Sequence, residues 1–146
     1  NQLLEVDPDK EYSADKPFIT LYAAWIPLFK IEDVLNDGEN SARKISEKYS
    51  CITVLKTHRT IICDKDFKIH INEHGNSALA KAGTGDVLAG MIAGLLAQGM
   101  SGFEAAKLGV YLHSRSGELA SKDLTEYSVL ATDVIKYLHQ AIKEIL

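Results

Sequence analysis

The sequence predicts an α/β fold with a mixed sheet and a closing antiparallel hairpin. Three observations carry this expectation. The runs Asp15–Leu21, Cys51–Lys56 and Thr60–Asp64 are apolar or β-branched and of strand length. Phe67–Asn72, "FKIHIN", alternates apolar and polar residues with the period of two that a half-buried strand requires. After Gly75 the apolar residues recur at helical spacing instead. Strand, helix, strands, then helices is the order of an α/β domain.

In chain order, Asp15–Leu21 reads as a strand entered through Pro17. Pro27–Asn36 reads as a helix, with Leu28, Ile31, Val34 and Leu35 on one face and Pro27 at a first-turn position. "NSARKISEKYS", Asn40–Ser50, reads as a helix capped by Ser41, with Ala42, Ile45 and Tyr49 inward. Asp64–Asp66 supplies turn residues, so Thr60–Cys63 and Phe67–Asn72 form a hairpin. Thr84–Gln98 is apolar nearly all round, and Gly90 and Gly94 are expected to admit a closely packed neighbour. Ser101 and Glu104 have capping-box spacing ahead of a helix carrying Phe103, Ala106, Val110, Leu112 and His113. Ala131–Leu146 closes the chain as a helix capped by Thr132 or Asp133. No repeat or low-complexity segment interrupts this order.

The chain has 146 residues, 46% of them hydrophobic, which suits one domain or a piece of one. The net charge of −4 and pI of 5.7 argue against a general nucleic-acid or membrane-surface binder. Nucleotides remain open as ligands, because backbone amides and a few local cations suffice to hold them. The most apolar window, Val87–Ala97, is 11 residues long, short of the roughly 18 needed to span a membrane. Cys51 and Cys63 lack any CxxC or Cys/His spacing and are expected to be buried thiols of a cytoplasmic protein. His70 and His74 have no partner at metal spacing, and Tyr111 and His113 are expected in the core or at a subunit contact. No signal peptide is visible in the polar, acidic start, and because the first residue is not Met the chain is expected to be a fragment.

The chemistry gathers in "NSALAKAGTGDVLAG". Ala82-Gly83-Thr84-Gly85 can present consecutive backbone N–H groups at a helix start, where the helix dipole adds about half a positive charge. Such a hole suits a phosphate or a developing phosphoryl charge. No Lys-Ser/Thr pair follows the glycines, which excludes a Walker loop, and the spacing is not that of a Rossmann fingerprint. Asp86 is the informative residue. A carboxylate beside an anion site either caps the helix or acts as a general base on a substrate hydroxyl.

The stretch from Gly75 to Ala120, "GNSALAKAGTGDVLAGMIAGLLAQGMSGFEAAKLGVYLHSRSGELA", closely resembles the C-terminal part of the NAD(P)H-hydrate dehydratases of the ribokinase-like superfamily. "ITVLKTHRTIICDKDFKIHIN" resembles the strand, Lys-Gly-x-x-Thr loop and hairpin that precede it in that family. The resemblance implies a ribokinase-like three-layer α/β/α sandwich, of which residues 1–146 are the C-terminal portion of one domain. It further implies a repair activity in which ADP or ATP, with Mg²⁺, drives dehydration of the S epimer of NADHX or NADPHX. By position, Asp86 becomes the base and contacts the hydrate, and Ala82, Gly83, Thr84 and Gly85 become the anion hole. Lys56, Thr57, His58, Arg59 and Thr60 become the nucleotide loop together with Gly85, and Asn76 orders the turn or touches substrate. A homo-oligomer and a fused epimerase domain are implied as well, with no nucleic-acid or membrane partner.

Several positions depart from the family pattern. Thr57 replaces a Gly, and Leu21, Tyr22 and Trp25 stand where the family carries Pro, His and Glu of a Pro-His-x-x-Glu motif. Lys81 stands where a small residue is common and is expected to place a cation beside the phosphate hole. Two other readings use the same residues: a ribokinase-like small-molecule kinase, and a non-catalytic remnant that binds adenine nucleotide.

Overall fold

The computed structural model describes the strand Phe18–Leu21 and residues 31–146. Strand β1 (Phe18–Leu21) is followed by helices α1 (Ile31–Asn36) and α2 (Gly38–Tyr49), then strands β2 (Ile52–Leu55), β3 (Ile61–Cys63) and β4 (Ile69–Ile71). A 3-10 turn (Ser77–Leu79) leads into helices α3 (Thr84–Ala97), α4 (Gly102–Ser128) and α5 (Ala131–Lys143). The four strands lie in the order β1-β2-β3-β4. β1 runs parallel to β2, with Phe18 opposite Ile52 and Leu21 opposite Leu55. β2–β3 and β3–β4 are antiparallel, which makes the sheet mixed with a closing hairpin as expected.

Alternation along the strands builds the layers. Val54 and Ile62 point to one face, where Leu88, Ile92, Phe103 and Val110 of α3 and α4 cover them. Leu55, Ile61 and Cys63 point to the other, against Val34 and Ala42 of α1 and α2. Helices on both faces of one sheet give the three-layer α/β/α arrangement. The α2 face is also pinned by a polar contact, since the buried Ser46 hydroxyl lies 2.8 Å from Thr53 Oγ1 and 3.0 Å from the Cys63 carbonyl. Both cysteines are buried and unpaired, and burial raises both thiol pKa values. Among the described residues no helix is long and apolar enough to cross a membrane.

Several local expectations are corrected. Helix α2 starts one turn earlier than the Ser41 cap implies: Asp37 is the N-cap and accepts from Asn40 N–H at 3.1 Å. Ser41 lies inside the helix and donates to the Asp37 carbonyl at 2.9 Å. Ser101 does occupy the N-cap of α4 but makes no side-chain cap bond, and the Glu104 carboxylate pairs with Lys107. At α5 the N3 carboxylate of Asp133 accepts from Leu130 N–H at 3.0 Å, so Asp133 rather than Thr132 caps it. Gly90 and Gly94 face no neighbour among the described residues, where a Cβ on either would meet nothing within 4 Å. The close approach of α3 and α4 occurs at Gly109, where a Cβ would stand 2.5 Å from Ile92 Cγ1. The apolar pattern of α3 therefore buries Leu88 and Ile92, not its glycine edge. Helix α4 runs past the predicted segment to Ser128, broken at Thr125, whose φ of 64° is left-handed.

Candidate functional site

The site grows from the chain between β4 and α3. Asn76 caps the 3-10 turn by accepting from Ala78 N–H at 3.2 Å, and its amide donates to Ser121 of α4 at 2.8 Å. Upstream, Gly75 N–H donates to Glu118 Oε1 at 2.6 Å. The buried Asn72 amide donates to the His74 carbonyl at 2.8 Å and to Ser114 Oγ at 3.0 Å. Ser114, Glu118 and Ser121 lie on one stripe of α4, spaced three or four residues apart, so a single helix face holds the whole approach to the glycine loop.

The loop then turns through Gly83, the N-cap of α3, at φ 85°. This left-handed conformation and the space both call for glycine, because a Cβ would stand 3.2 Å from Ala131 Cβ at the start of α5. Among the described residues no backbone carbonyl accepts from the N–H groups of Ala82, Gly83, Gly85 or Asp86. These donors, with the dipole of the 14-residue α3 behind them, form a positive cradle for an anion. Asp86 at the third position of α3 is exposed and has no partner among the described residues. A carboxylate so placed is free to accept a proton from a bound hydroxyl.

Beneath the cradle lies a buried polar knot. Thr84 is 1% exposed, and its Oγ1 lies 2.8 Å from the Leu79 carbonyl and 2.9 Å from that of Lys81. Lys56, at the end of β2, donates to the Leu79 carbonyl at 3.0 Å and approaches Thr84 Oγ1 at 3.4 Å. Burial lowers the Lys56 pKa. From α4, His113 Nε2 donates to the Thr84 carbonyl at 2.8 Å. His113 is 2% exposed, and desolvation together with the Lys56 charge pushes its pKa down to about 4. The ring is therefore neutral near pH 7, with its proton on Nε2.

The sequence-predicted residues divide into two groups. Lys56, Thr84 and the rest of the glycine loop come together. The remainder of the 56–60 loop makes no hydrogen bond to the glycine loop among the described residues: Arg59 pairs with Glu73, Thr57 Oγ1 donates to the Arg59 carbonyl at 2.7 Å, and His58 is exposed. Thr60 is buried, and its carbonyl accepts from Asn72 N–H at 2.9 Å. Lys81 does not stand beside the cradle as a free cation. Its ammonium is committed to the carbonyls of Glu126, Tyr127 and Val129 at 3.0, 2.5 and 2.9 Å, closing the end of α4. Of the three departures from the Pro-His-x-x-Glu pattern, Leu21 ends β1, and Tyr22 and Trp25 lie outside the described residues. Of the two residues expected in the core or at a subunit contact, His113 is buried in the core and Tyr111 is half-buried. The contact of His113 with the glycine loop has no local signal, since nothing in "YLH" shows which backbone crosses that helix. Among the described residues no group of three or more His, Cys, Asp and Glu could hold a metal ion.

Known proteins resemble this chain in sequence and in fold. The family model for NAD(P)H-hydrate dehydratase matches residues 24–140. The ADP-dependent (S)-NAD(P)H-hydrate dehydratase of Neisseria meningitidis is 43% identical over 89 residues, 61% of this chain and 30% of that protein. The bifunctional NAD(P)H-hydrate repair enzyme Nnr of Moorella thermoacetica is 36% identical over 112 residues, 77% of this chain and 21% of that protein. A crystal structure of the ADP/ATP-dependent NAD(P)H-hydrate dehydratase of Bacillus subtilis, co-crystallised with ATP and Mg²⁺, superposes with a TM-score of 0.75 at 30% identity. That superposition covers 79% of this chain and 42% of the other. The chain thus spans less than half the length of these relatives, and its fold is the ribokinase-like one. With the match running from residue 24, past the glycine loop and into α5, the chain belongs to the NAD(P)H-hydrate dehydratase family.

Proposed function

We propose that residues 1–146 are the C-terminal portion of a dehydratase domain that restores NADH or NADPH from the S epimer of its hydrate, using ADP or ATP. The observation that carries this reading is the carboxylate of Asp86, unpaired among the described residues, directly after the unpaired N–H groups of Ala82, Gly83 and Gly85. The cradle of Ala82, Gly83, Thr84 and Gly85 holds the phosphoryl group in transfer, and Asp86 takes the proton from the hydrate hydroxyl as its oxygen attacks phosphorus. The bond from phosphorus to the nucleotide's leaving oxygen breaks, releasing AMP from ADP or ADP from ATP. Phosphate then leaves the ring carbon as the neighbouring carbon loses a proton, which restores the ring double bond.

Lys56 lies against the cradle and the 57–60 loop runs along the nucleotide, while Asn76 orders the turn or meets substrate. Mg²⁺ would arrive on the nucleotide phosphates, whose charge it neutralises, and needs few protein ligands there. The same reading makes the intact protein a cytoplasmic homo-oligomer, joined to an epimerase domain as its similarity to a bifunctional repair enzyme supports.

The test is the intact protein with NADHX, ADP or ATP, and Mg²⁺, followed by the absorbance of the reduced nicotinamide. A nucleotide-dependent rise is expected, and Asp86→Asn should abolish it while retaining nucleotide binding. A stable phosphorylated product without that rise would identify a kinase, and binding without turnover a remnant. Unchanged turnover in Asp86→Asn would remove Asp86 as the base.

A further inference from the structure

The geometry points to His113 and the hydroxyl of Thr84 as positioning residues that aim two donors of the anion cradle, each through the carbonyl of the donor's own peptide unit. This inference rests on the dehydratase reading for its catalytic consequence, but not for its effect on anion binding. A trans peptide is planar, and its C=O and N–H point in opposite directions. Whatever fixes the carbonyl therefore fixes the N–H. The Thr84 carbonyl, held by His113 at 2.8 Å, shares its peptide unit with the Gly85 N–H. The Lys81 carbonyl, held by Thr84 Oγ1 at 2.9 Å, shares its unit with the Ala82 N–H. Neither Gly85 N–H nor Ala82 N–H has a backbone acceptor among the described residues, so both remain available to the anion.

The proton inventory agrees with this assignment. The Thr84 hydroxyl has a single proton but faces two carbonyls, of Leu79 and Lys81. Lys56 supplies the Leu79 carbonyl with its own donor at 3.0 Å. The hydroxyl proton is then free for Lys81, and a Thr84 lone pair faces the Lys56 ammonium at 3.4 Å. On the other side, the neutral ring of His113 offers its Nε2 proton to the Thr84 carbonyl at 2.8 Å. Hydrogen bonds to these carbonyls also polarise the peptides and strengthen their N–H groups as donors. Both side chains are almost wholly buried, so they act on the cradle from behind and meet neither substrate nor nucleotide.

The test uses the intact protein and compares His113→Phe, which keeps a ring but has no donor, with His113→Gln, which retains an N–H donor. For His113→Phe, kcat per folded molecule should fall on the order of tenfold, less than the loss from deleting a donor outright. KM for the hydrate should stay near its original value, the Kd for ADP should rise, and His113→Gln should recover most of both losses. Unchanged kcat and ADP affinity in folded His113→Phe, or a Gln variant no better than Phe, would overturn the assignment. If His113→Phe does not fold, Thr84→Val against Thr84→Ser decides the matter: ADP affinity falls in the first and persists in the second, or the assignment fails. Should the unaltered protein bind ADP yet turn over no hydrate, the dehydratase reading fails, and the ADP affinities of the variants still judge the positioning role.

Discussion

Acidification should weaken the fold through His113 in a defined pH window. In the unfolded chain the imidazole titrates near 6.5, whereas in the folded protein it is pushed down to about 4. The causes are burial first, then the charge of Lys56, opposed by the bond to the Thr84 carbonyl. Above pH 6.5 the ring is neutral in both states and contributes no pH dependence. Between 6.5 and about 4 the unfolded chain binds the proton and the folded protein does not, so stability falls as pH falls, and the loss levels off below about 4. At about 1.4 kcal/mol per pH unit, the whole window is worth roughly 3 kcal/mol, a large part of a domain's usual stability. Urea unfolding followed by circular dichroism at several pH values between 7.5 and 4, about the span of this window, reads it out. His113→Gln removes the titration, so the gap between the two proteins should shift by roughly 3 kcal/mol across the window in favour of the variant. His70, whose pKa burial also lowers, titrates in both proteins and cancels in the difference. Parallel curves for the two proteins would refute the reasoning and mean that His113 binds its proton equally well in the folded and unfolded protein, as a solvated ring would.

Gly83→Ala should cost about 1–2 kcal/mol, because the left-handed φ of 85° and the 3.2 Å approach to Ala131 both oppose a Cβ. A thermal melt and an ADP titration check it, and an unchanged melting temperature with full ADP affinity would contradict the loop geometry. Ile92 is 0% exposed between the sheet and α4, so Ile92→Ala should lower stability by about 2–5 kcal/mol, read from the urea midpoint. Lys81→Met removes the cation from the three carbonyls that close α4. It should cost about 1 kcal/mol and speed amide exchange at residues 126–130 selectively, leaving the α3 core protected.

Much of this architecture is legible locally. The β-branched runs at β2 and β3 and the alternation at β4 mark strands because backbone sterics and pleat act within a few residues. The helical period places α3 and α5 within a few residues of their ends, and the glycine loop is visible because Gly83 and Gly85 stand directly before an apolar helix. The family resemblance rests on that same contiguous stretch. Caps are less legible. Asp37, Ser41 and Ser101 are all chemically able to cap, and the choice between them turned on where the preceding chain enters the helix.

The sequence by itself determined the order of elements, the glycine-rich turn into α3 with Asp86 in its first turn, and the family to which they point, because periodicity, turn chemistry and motif spacing are properties of neighbouring residues. Only the tertiary structure decided which side chains stand behind that loop. It turned Lys81 away to the end of α4, set the close helix contact at Gly109, and brought Lys56 and His113 together around Thr84. The physical reason is that a buried carbonyl must find a donor wherever the fold supplies one. For the Thr84 carbonyl that donor lies 29 residues away on another helix, a partner that packing alone selects.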